Sequence, residues 1–159
     1  MCDTSLIEHQ EGFRSHGYDD ANDHPLGAGY TIKGNATVGF GFNIGPNGEG
    51  LSEAECRLVM NYRLGKLRKR LSGLYSWFDG LDRVRQAAVE SSVYNLGLPN
   101  FNAFKHTIAA FEQGNFAEAA YQMRDSDWYR NPETRHRAGE CAQMVETGKW
   151  PEGYNLPAS

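Results

Sequence analysis

The sequence predicts an α+β protein in which a small β-containing N-terminal lobe is joined by a long helix to a larger all-helical C-terminal lobe. Between Ser15 and Gly50 the chain is rich in glycine and contains alternating stretches, which favours strands and turns. After Ser52 the apolar residues follow helical spacing. We therefore expect one domain over residues 1–159. Its parts are a small lobe at about 12–52, a linking helix at about 53–71, and a helical lobe at about 72–159 that includes the first helix.

The helices are predicted from the residues at their ends. Ser5 and Glu8 form a capping box for a short helix that Gly12 ends, and Ser52 with Glu55 forms a second box for the long one. The long helix, from Ala54 to Leu71, carries an apolar stripe of Leu58, Val59, Tyr62, Leu64, Leu67 and Leu71. Four further helices are expected: from Asp79 to near Gly97, from Ala103 to Gln113, after the cap Asn115, and from Asn131-Pro132 to Gly148.

Composition and charge exclude several classes of protein. A net charge of −4 argues against a nucleic-acid partner. No run approaches the roughly 18 apolar residues of a membrane span, so stable membrane insertion is not expected. Residues 1–13 lack the apolar core of a signal peptide, which predicts synthesis in a cytoplasm. Cys2, Cys56 and Cys141 show no CxxC spacing and are expected to be reduced thiols.

Two carboxylates carry the first functional hypothesis. Glu11 closes the predicted first helix, and Asp20 follows nine residues later in a stretch of turn-forming residues. A carboxylic acid and a carboxylate on opposite sides of a bond are what acid-assisted hydrolysis of a glycoside requires. The carbonyl-rich end of a helix would raise the pKa of Glu11, as a general acid needs near neutral pH. The pair therefore indicates a glycosidase.

Glu11-Gly12, Tyr18, Asp20 and Thr37-Val38-Gly39-Phe40-Gly41 together resemble the T-even phage lysozymes, which are endolysins of glycoside hydrolase family 24. The likeness covers most of the chain. It continues through 81–88, Asn95-Leu96-Gly97, Phe104, 118–120, Trp128-Tyr129, Arg135 and, after a small shift, 147–150. The stretches 21–36 and 42–51 are unlike the usual form of the family.

The resemblance implies a lysozyme-like fold and hydrolysis of the β-1,4 bond between N-acetylmuramic acid and N-acetylglucosamine in peptidoglycan. It implies inversion at the anomeric centre and no metal or other cofactor. Glu11 would be the general acid, and Asp20 and Thr37 would hold and activate the attacking water. Asn95, Phe104 and Arg135 resemble residues of the family that line the substrate cleft or reach the acid.

Several positions allow a second interpretation. Asp19 is another candidate for the working carboxylate, and Thr31 begins a segment that imitates the TxGxG motif, although Thr37 alone carries the full pattern. Phe42 stands where the family usually has histidine, so any ion pair of that histidine is missing. Asn95 near a helix end and Phe104 near a helix start are equally typical of a cap and a core position.

Other charged and aromatic residues have simpler interpretations. Trp128 and Trp150 are expected in the core, and Arg83 and Arg85 on a solvated helix face. The linking helix carries an excess of positive charge, which is typical of a solvated face. The alternative is a functional hypothesis: this charge offsets the acidic N-terminal lobe when the protein approaches an anionic wall. The basic residues are Arg57, Arg63, Lys66, Arg68, Lys69 and Arg70.

Two rival functions are a zinc amidase and a non-catalytic wall-binding or virion structural protein. An amidase needs metal ligands in register, and the five histidines form no pair at helical or finger spacing. A binding protein would keep the fold without turnover. We expect a monomer that acts on peptidoglycan of the cell wall, in the periplasm. Access would depend on a separate holin-like factor or on delivery with a particle or toxin.

Overall fold

The computed structural model describes residues 13–46 and 48–153. The predicted first helix, with Ser5, Glu8 and Glu11, lies outside the described residues. The chain forms two compact units, one ending at Asn61 and the other beginning at Tyr62. The boundary between the units falls inside the long helix.

The first unit contains a four-stranded antiparallel sheet. Its strands are β1 (Arg14–Asp19), β2 (His24–Pro25), β3 (Ala36–Gly39) and β4 (Phe42–Asn43), in the order β2-β1-β3-β4. Tyr18 lies opposite Thr37, and Asp19 lies opposite Ala36. The predicted β-containing N-terminal part is confirmed, and its register places the end of β1 beside the start of β3.

The stretch between β1 and β3 folds back on the end of β1. Its conformation could not be predicted from the sequence. Residues 20–23 form a turn, and β2 follows it. The rings of His24 and Tyr30 stack with centroids 4.2 Å apart. The Asn22 side-chain amide donates a hydrogen bond to the Tyr30 hydroxyl at 2.9 Å. The loop is thus held by its own side chains, and Tyr30 is brought over β1.

The hairpin between β3 and β4 explains two glycines of the TxGxG motif. Val38 pairs with Phe42, so the chain reverses direction over Gly39, the last residue of β3, and Phe40 and Gly41. Gly39 and Gly41 have φ values of 71° and 76°, a region that side chains disfavour. A Cβ at Gly39 would also lie 2.8 Å from the Phe42 ring. The glycines are therefore required by the turn.

The long helix, α1, runs from Glu53 to Leu74 and confirms the predicted element. Its capping box forms as predicted: the Glu55 backbone N–H donates to Ser52 Oγ at 3.3 Å, and the Ser52 backbone N–H donates to Glu55 Oε2 at 2.8 Å.

The apolar stripe of α1, which correctly predicted a helix, is exposed in the first half of the helix. Leu71 is buried and Leu67 packs against the core, but Leu58 and Tyr62 are each 70% exposed. A helix of this length spans about 33 Å. Within the helical unit, the core includes Leu71 and is contacted by Leu67, so apolar periodicity alone overestimates the buried face.

The second unit is helical. After a 3₁₀ turn at Phe78–Gly80 it contains α2 (Arg83–Leu96), α3 (Leu98–Phe101), α4 (Lys105–Glu112), α5 (Phe116–Arg124), α6 (Asp127–Arg130) and α7 (Arg135–Thr147). The Asn115 cap is confirmed, because its side chain accepts from the Glu118 backbone N–H at 3.1 Å. The predicted start at Asp79 is wrong. Asp82 caps α2 by accepting from the Arg85 backbone N–H at 3.0 Å.

The final helix begins later than predicted. Asn131 ends α6 as its C-cap, and Pro132 lies in the turn that precedes α7. The predicted end at Gly148 is confirmed, with a left-handed φ of 65°. Arg135 is therefore the first residue of α7.

One core fills the helical unit, from Leu71 on α1 to Val145 on α7. Trp128 is buried in it and Trp150 packs against it, as predicted. Cys141 is a buried free thiol and Cys56 an exposed one, as predicted, while Cys2 lies outside the described residues. Among the described helices, none has the length and apolar character that crossing a membrane requires.

Arg85 does not lie on a solvated face, contrary to expectation. Its side chain is only 16% exposed and pairs with Asp82. Nε donates to the carbonyl of Val145 at 2.7 Å, and Nη2 donates to that of Glu146 at 3.2 Å. The guanidinium carbon lies 4.0 Å from the centre of the Phe116 ring. Arg85 thus ties α2 to the last turn of α7.

Arg83 is more exposed than Arg85, but it also has a partner. Its Nη1 lies 3.4 Å from the carboxylate of Glu90, which is buried. Arg68 on α1 donates to the same carboxylate at 2.7 and 3.1 Å. The Glu90 carboxylate therefore joins α1 to α2 within the helical unit.

Candidate active site

Asp19, the last residue of β1, is fully buried, and the loop before β3 surrounds its carboxylate. The carboxylate accepts from the backbone N–H groups of Lys33 at 2.7 Å, Gly34 at 2.8 Å and Ala21 at 3.1 Å, and from the Tyr30 hydroxyl at 2.8 Å. These bonds, with that of Lys33 first, lower the pKa of Asp19 to about 2, although burial opposes them. Four internal donors argue for an architectural role and against Asp19 as the working carboxylate.

Asp20, the next residue, is exposed, and among the described residues its carboxylate is bound by Asn35. The Asn35 backbone N–H donates to Oδ1 at 2.6 Å, and the Asn35 side-chain amide donates to Oδ2 at 2.9 Å. The backbone bond and then the side-chain bond lower the pKa of Asp20. The result is an accessible carboxylate that stays ionised, which is the state that a water-activating group needs.

Gly34 leaves the space that Asp20 occupies. A Cβ at position 34 would lie 2.2 Å from Asp20 Oδ1 and 2.8 Å from the Cβ of Ala21. No side chain fits there without moving the carboxylate. Glycine is required at position 34 because Asp20 and Ala21 approach its Cα closely, and not because its φ is positive.

Thr37 lies on β3 and is only 3% exposed. Its hydroxyl donates to the carbonyl oxygen of Asn35 at 3.3 Å, and the Asp20 backbone N–H donates to the same oxygen at 3.1 Å. Asn35 therefore contacts both candidate residues. Thr31 is exposed and lies outside the strands, so the geometry favours Thr37 over Thr31.

Asn95, in the last turn of α2, is used inside the helical unit. Its Oδ1 accepts from the indole N–H of Trp128 at 2.7 Å. This bond satisfies the one polar group of a buried tryptophan. The contact supports a structural use of Asn95 and leaves its amide N–H groups for other partners.

Phe104 and Arg135 have local contacts as well. Phe104 precedes α4 and stacks on Phe101, with centroids 6.2 Å apart. Arg135 is exposed, and its guanidinium donates to the carbonyls of Tyr129 and Arg130, both at 3.3 Å. Those two bonds occupy two of its five N–H groups. Phe104 is thus partly a core residue, whereas Arg135 presents charge to solvent.

Glu11, the predicted general acid, lies outside the described residues. Asn35, which contacts both Asp20 and Thr37, is a residue that the sequence does not indicate. It is separated from Asp20 by 15 positions and belongs to no motif. Only the pairing of β1 with β3 brings the two together, so no local pattern could have indicated it.

In the part of the chain that the structure describes, no group of three or more His, Cys, Asp and Glu side chains is arranged to hold a metal ion.

The protein combines a small sheet, which carries two differently bound carboxylates, with a helical unit. It is an α+β protein with a lysozyme-like fold. Residues 8–140 match the family model described as phage lysozyme, and the chain belongs to that family. The predicted resemblance and fold class are therefore confirmed.

Two relatives come from Dictyostelium discoideum. Probable T4-type lysozyme 1 is 32% identical over 71 residues, which are 45% of this chain and 41% of the relative. Probable T4-type lysozyme 2 is 31% identical over 77 residues, or 48% of this chain and 44% of the relative. The matches thus span less than half the length of these relatives.

Proposed function

We propose that this chain is a peptidoglycan hydrolase of the muramidase type, which cleaves the β-1,4 bond between N-acetylmuramic acid and N-acetylglucosamine. Membership of the phage lysozyme family supports the substrate class. The proposed site of action is the cell wall.

The observation that carries the proposal is the state of Asp20. It is an exposed carboxylate whose two oxygens are each held by an N–H of Asn35. A carboxylate fixed in this way can accept a proton from water and offset positive charge that develops on a sugar ring. Asp19 beside it has no such freedom, because four donors of its own loop bind it.

In the proposed mechanism Glu11 protonates the glycosidic oxygen, and the aglycone leaves. Water held by Asp20 and Thr37 attacks the anomeric carbon and transfers a proton to Asp20. Attack from the opposite face gives inversion, for which carboxyl groups roughly 6.5 to 9.5 Å apart leave room. The proposal includes Asn95, Phe104 and Arg135 as substrate-binding residues. Of these, Arg135 is best suited to bind an acidic group of the wall.

Mass spectrometry of digested peptidoglycan tests the proposal. A muramidase releases fragments with reducing-end muramic acid, whereas anhydro-muramic acid or freed peptide stems would indicate another reaction. Proton NMR of fresh product gives the anomeric outcome. Glu11→Gln and Asp20→Asn should each lower kcat by about 10²- to 10⁴-fold. Asp23→Asn, which removes an exposed carboxylate of the same loop, serves as the matched control.

Two results would replace the proposal with a rival. Loss of activity in EDTA together with freed peptide stems would indicate a zinc amidase. Wild-type protein that binds walls but releases no fragment would indicate a binding or structural protein.

A further inference from the structure

Asn35 contacts both residues proposed to hold the water. Its backbone and side-chain N–H groups take one oxygen each of the Asp20 carboxylate, at 2.6 and 2.9 Å. Its carbonyl oxygen accepts from the Asp20 backbone N–H at 3.1 Å and from the Thr37 hydroxyl at 3.3 Å. Four hydrogen bonds thus connect one residue to the proposed pair.

The directions of these bonds matter for the chemistry. A carboxylate bound at both oxygens has its plane fixed, and each oxygen still has a free lone pair. The Thr37 hydroxyl uses its hydrogen on Asn35, so its oxygen can only accept from a further partner. Water that donates its hydrogens to Asp20 and Thr37 presents a lone pair to the anomeric carbon.

We propose that Asn35 is a positioning residue for hydrolysis, which fixes the Asp20 carboxylate and orients the Thr37 hydroxyl as an acceptor for the attacking water. The inference rests on the proposed function. It adds a residue that touches neither substrate nor the reacting atoms and acts through two that do. Substitution of Asn35 tests the contribution of its side-chain amide alone, because the hydrogen bonds of its backbone persist in any variant.

A variant of Asn22, in the same loop, is the matched control for a purely structural effect. Asn22 also bonds through its side chain, donating to Tyr30 at 2.9 Å and accepting from the His24 backbone N–H at 3.0 Å. None of these bonds involves Asp20 or Thr37. Asn22→Ala should therefore weaken the loop while leaving the carboxylate of Asp20 bound.

The experiment compares kcat and KM against pH for wild type, Asn35→Ala, Asn35→Asp and Asn22→Ala on soluble peptidoglycan fragments. We expect Asn35→Ala to lower kcat roughly 10- to 100-fold with little change in KM. The acid limb of its profile should move to higher pH, because the pKa of Asp20 rises when a donor is lost. Asn35→Asp should move that limb further, since it adds a neighbouring negative charge. The basic limb, which Glu11 would set, should stay in place.

Each result bears on the inference. Suppose that Asp20→Asn inactivates the enzyme but that Asn35→Ala changes neither kcat nor the acid limb of the pH profile. The inference about Asn35 would then be overturned, and the proposed function would stand. Equal shifts in Asn22→Ala would also overturn the inference. Full activity of Asp20→Asn would instead remove the proposed function. If the Asn35 variants do not fold, a ¹³C NMR titration of the wild type decides: an ordinary pKa for Asp20 would contradict the inference.

Discussion

Asp19 and Asp20 are chemically identical neighbours with different surroundings, and we propose different roles for them. The carboxylate of Asp19 is enclosed by donors from its own loop, whereas that of Asp20 reaches the surface and depends on Asn35. Both have a lowered pKa, for the same physical cause. The two residues differ in exposure, so a shifted pKa alone would not decide which of them is the candidate functional residue.

Asp19→Asn should destabilise the fold in a pH-dependent way. Folded Asp19 has a pKa of about 2, below the ordinary value of about 3.9, so its ionised form favours the folded state. That stabilisation is complete above the ordinary pKa and is lost as pH falls through the folded one. Urea unfolding should give a clear difference between wild type and variant near about pH 6 and a smaller one near about pH 3. An equal difference at both pH values would contradict the assignment, and Asp23→Asn is the control.

Gly34→Ala should reduce activity and also stability, because a Cβ there would lie 2.9 Å from the Ala21 backbone nitrogen as well as 2.2 Å from Asp20 Oδ1. The new methyl group would overlap Asp20 Oδ1, so the carboxylate must move, and a displacement of about 1 Å costs on the order of 100-fold in rate. Gly27→Ala is the control, because nothing lies within 4 Å of a Cβ there. Rate and Tm measured together distinguish the effects. Equal activities of the two variants would argue against a role for Asp20.

At the scale of elements, the sequence predicts helix ends well where the partners lie three residues apart. Ser52 with Glu55 and Asn115 with Glu118 form the expected bonds. The prediction fails at Asp79, whose carboxylate instead accepts from the Ser72 hydroxyl at 2.6 Å on the preceding helix. The partner of Asp79 depends on how the chain turns after α1. The spacing of neighbouring residues in the sequence does not predict that turn.

The basic run of α1 gives a prediction about whole walls. Lys66 and Lys69 are exposed, and in the helical unit as described no carboxylate pairs with either. Lys66→Gln with Lys69→Gln should slow hydrolysis of intact walls several-fold at low salt, by weakening electrostatic attraction. The difference should vanish near 1 M salt, where the screening length is about 3 Å.

A matched pair at another site tests this prediction about charge. Arg137→Gln with Lys149→Gln removes the same charge from α7 and the segment after it. If both double variants lose the same rate, total charge is responsible and the position on α1 is not. An unchanged rate in the α1 variant would remove the hypothesis.

At the scale of the whole molecule, the described buried apolar residues are unevenly distributed. Ala36 is the one such residue in the first unit, whereas the core of the helical unit runs from Leu71 to Val145. In the described part of the first unit, hydrogen bonds around Asp19 and glycine turns hold the loops in place. Sequence periodicity predicts the large core, because that core is local and helical. It cannot predict the loop contacts of Asp19 and Asn35, which depend on strand pairing between residues far apart in the chain.

Glu90→Gln should destabilise the molecule as a whole. The carboxylate is 7% exposed and binds Arg68, which is 45% exposed and can regain water when its partner is lost. The expected loss is about 1.5–3 kcal/mol, the usual range for a hydrogen bond to a charged group. Calorimetry should show a Tm lower by roughly 3–10 °C. Asp125→Asn, which breaks an exposed pair with Arg130, should cost about 1 kcal/mol or less. An equal Tm for the two variants would contradict the importance of burial.

The contact of Arg85 with the carbonyls of Val145 and Glu146 affects how the C-terminal end of α7 behaves. Helix termini normally fray, because their last carbonyls have no donor within the helix. Here a guanidinium from α2 supplies donors, and Gly148 leaves room for it, since a Cβ there would lie 2.7 Å from Nη1. Amide protons near the close of α7 should therefore exchange with deuterium slowly. After a protease nick in the turn at 131–134, the two fragments should migrate together on a sizing column.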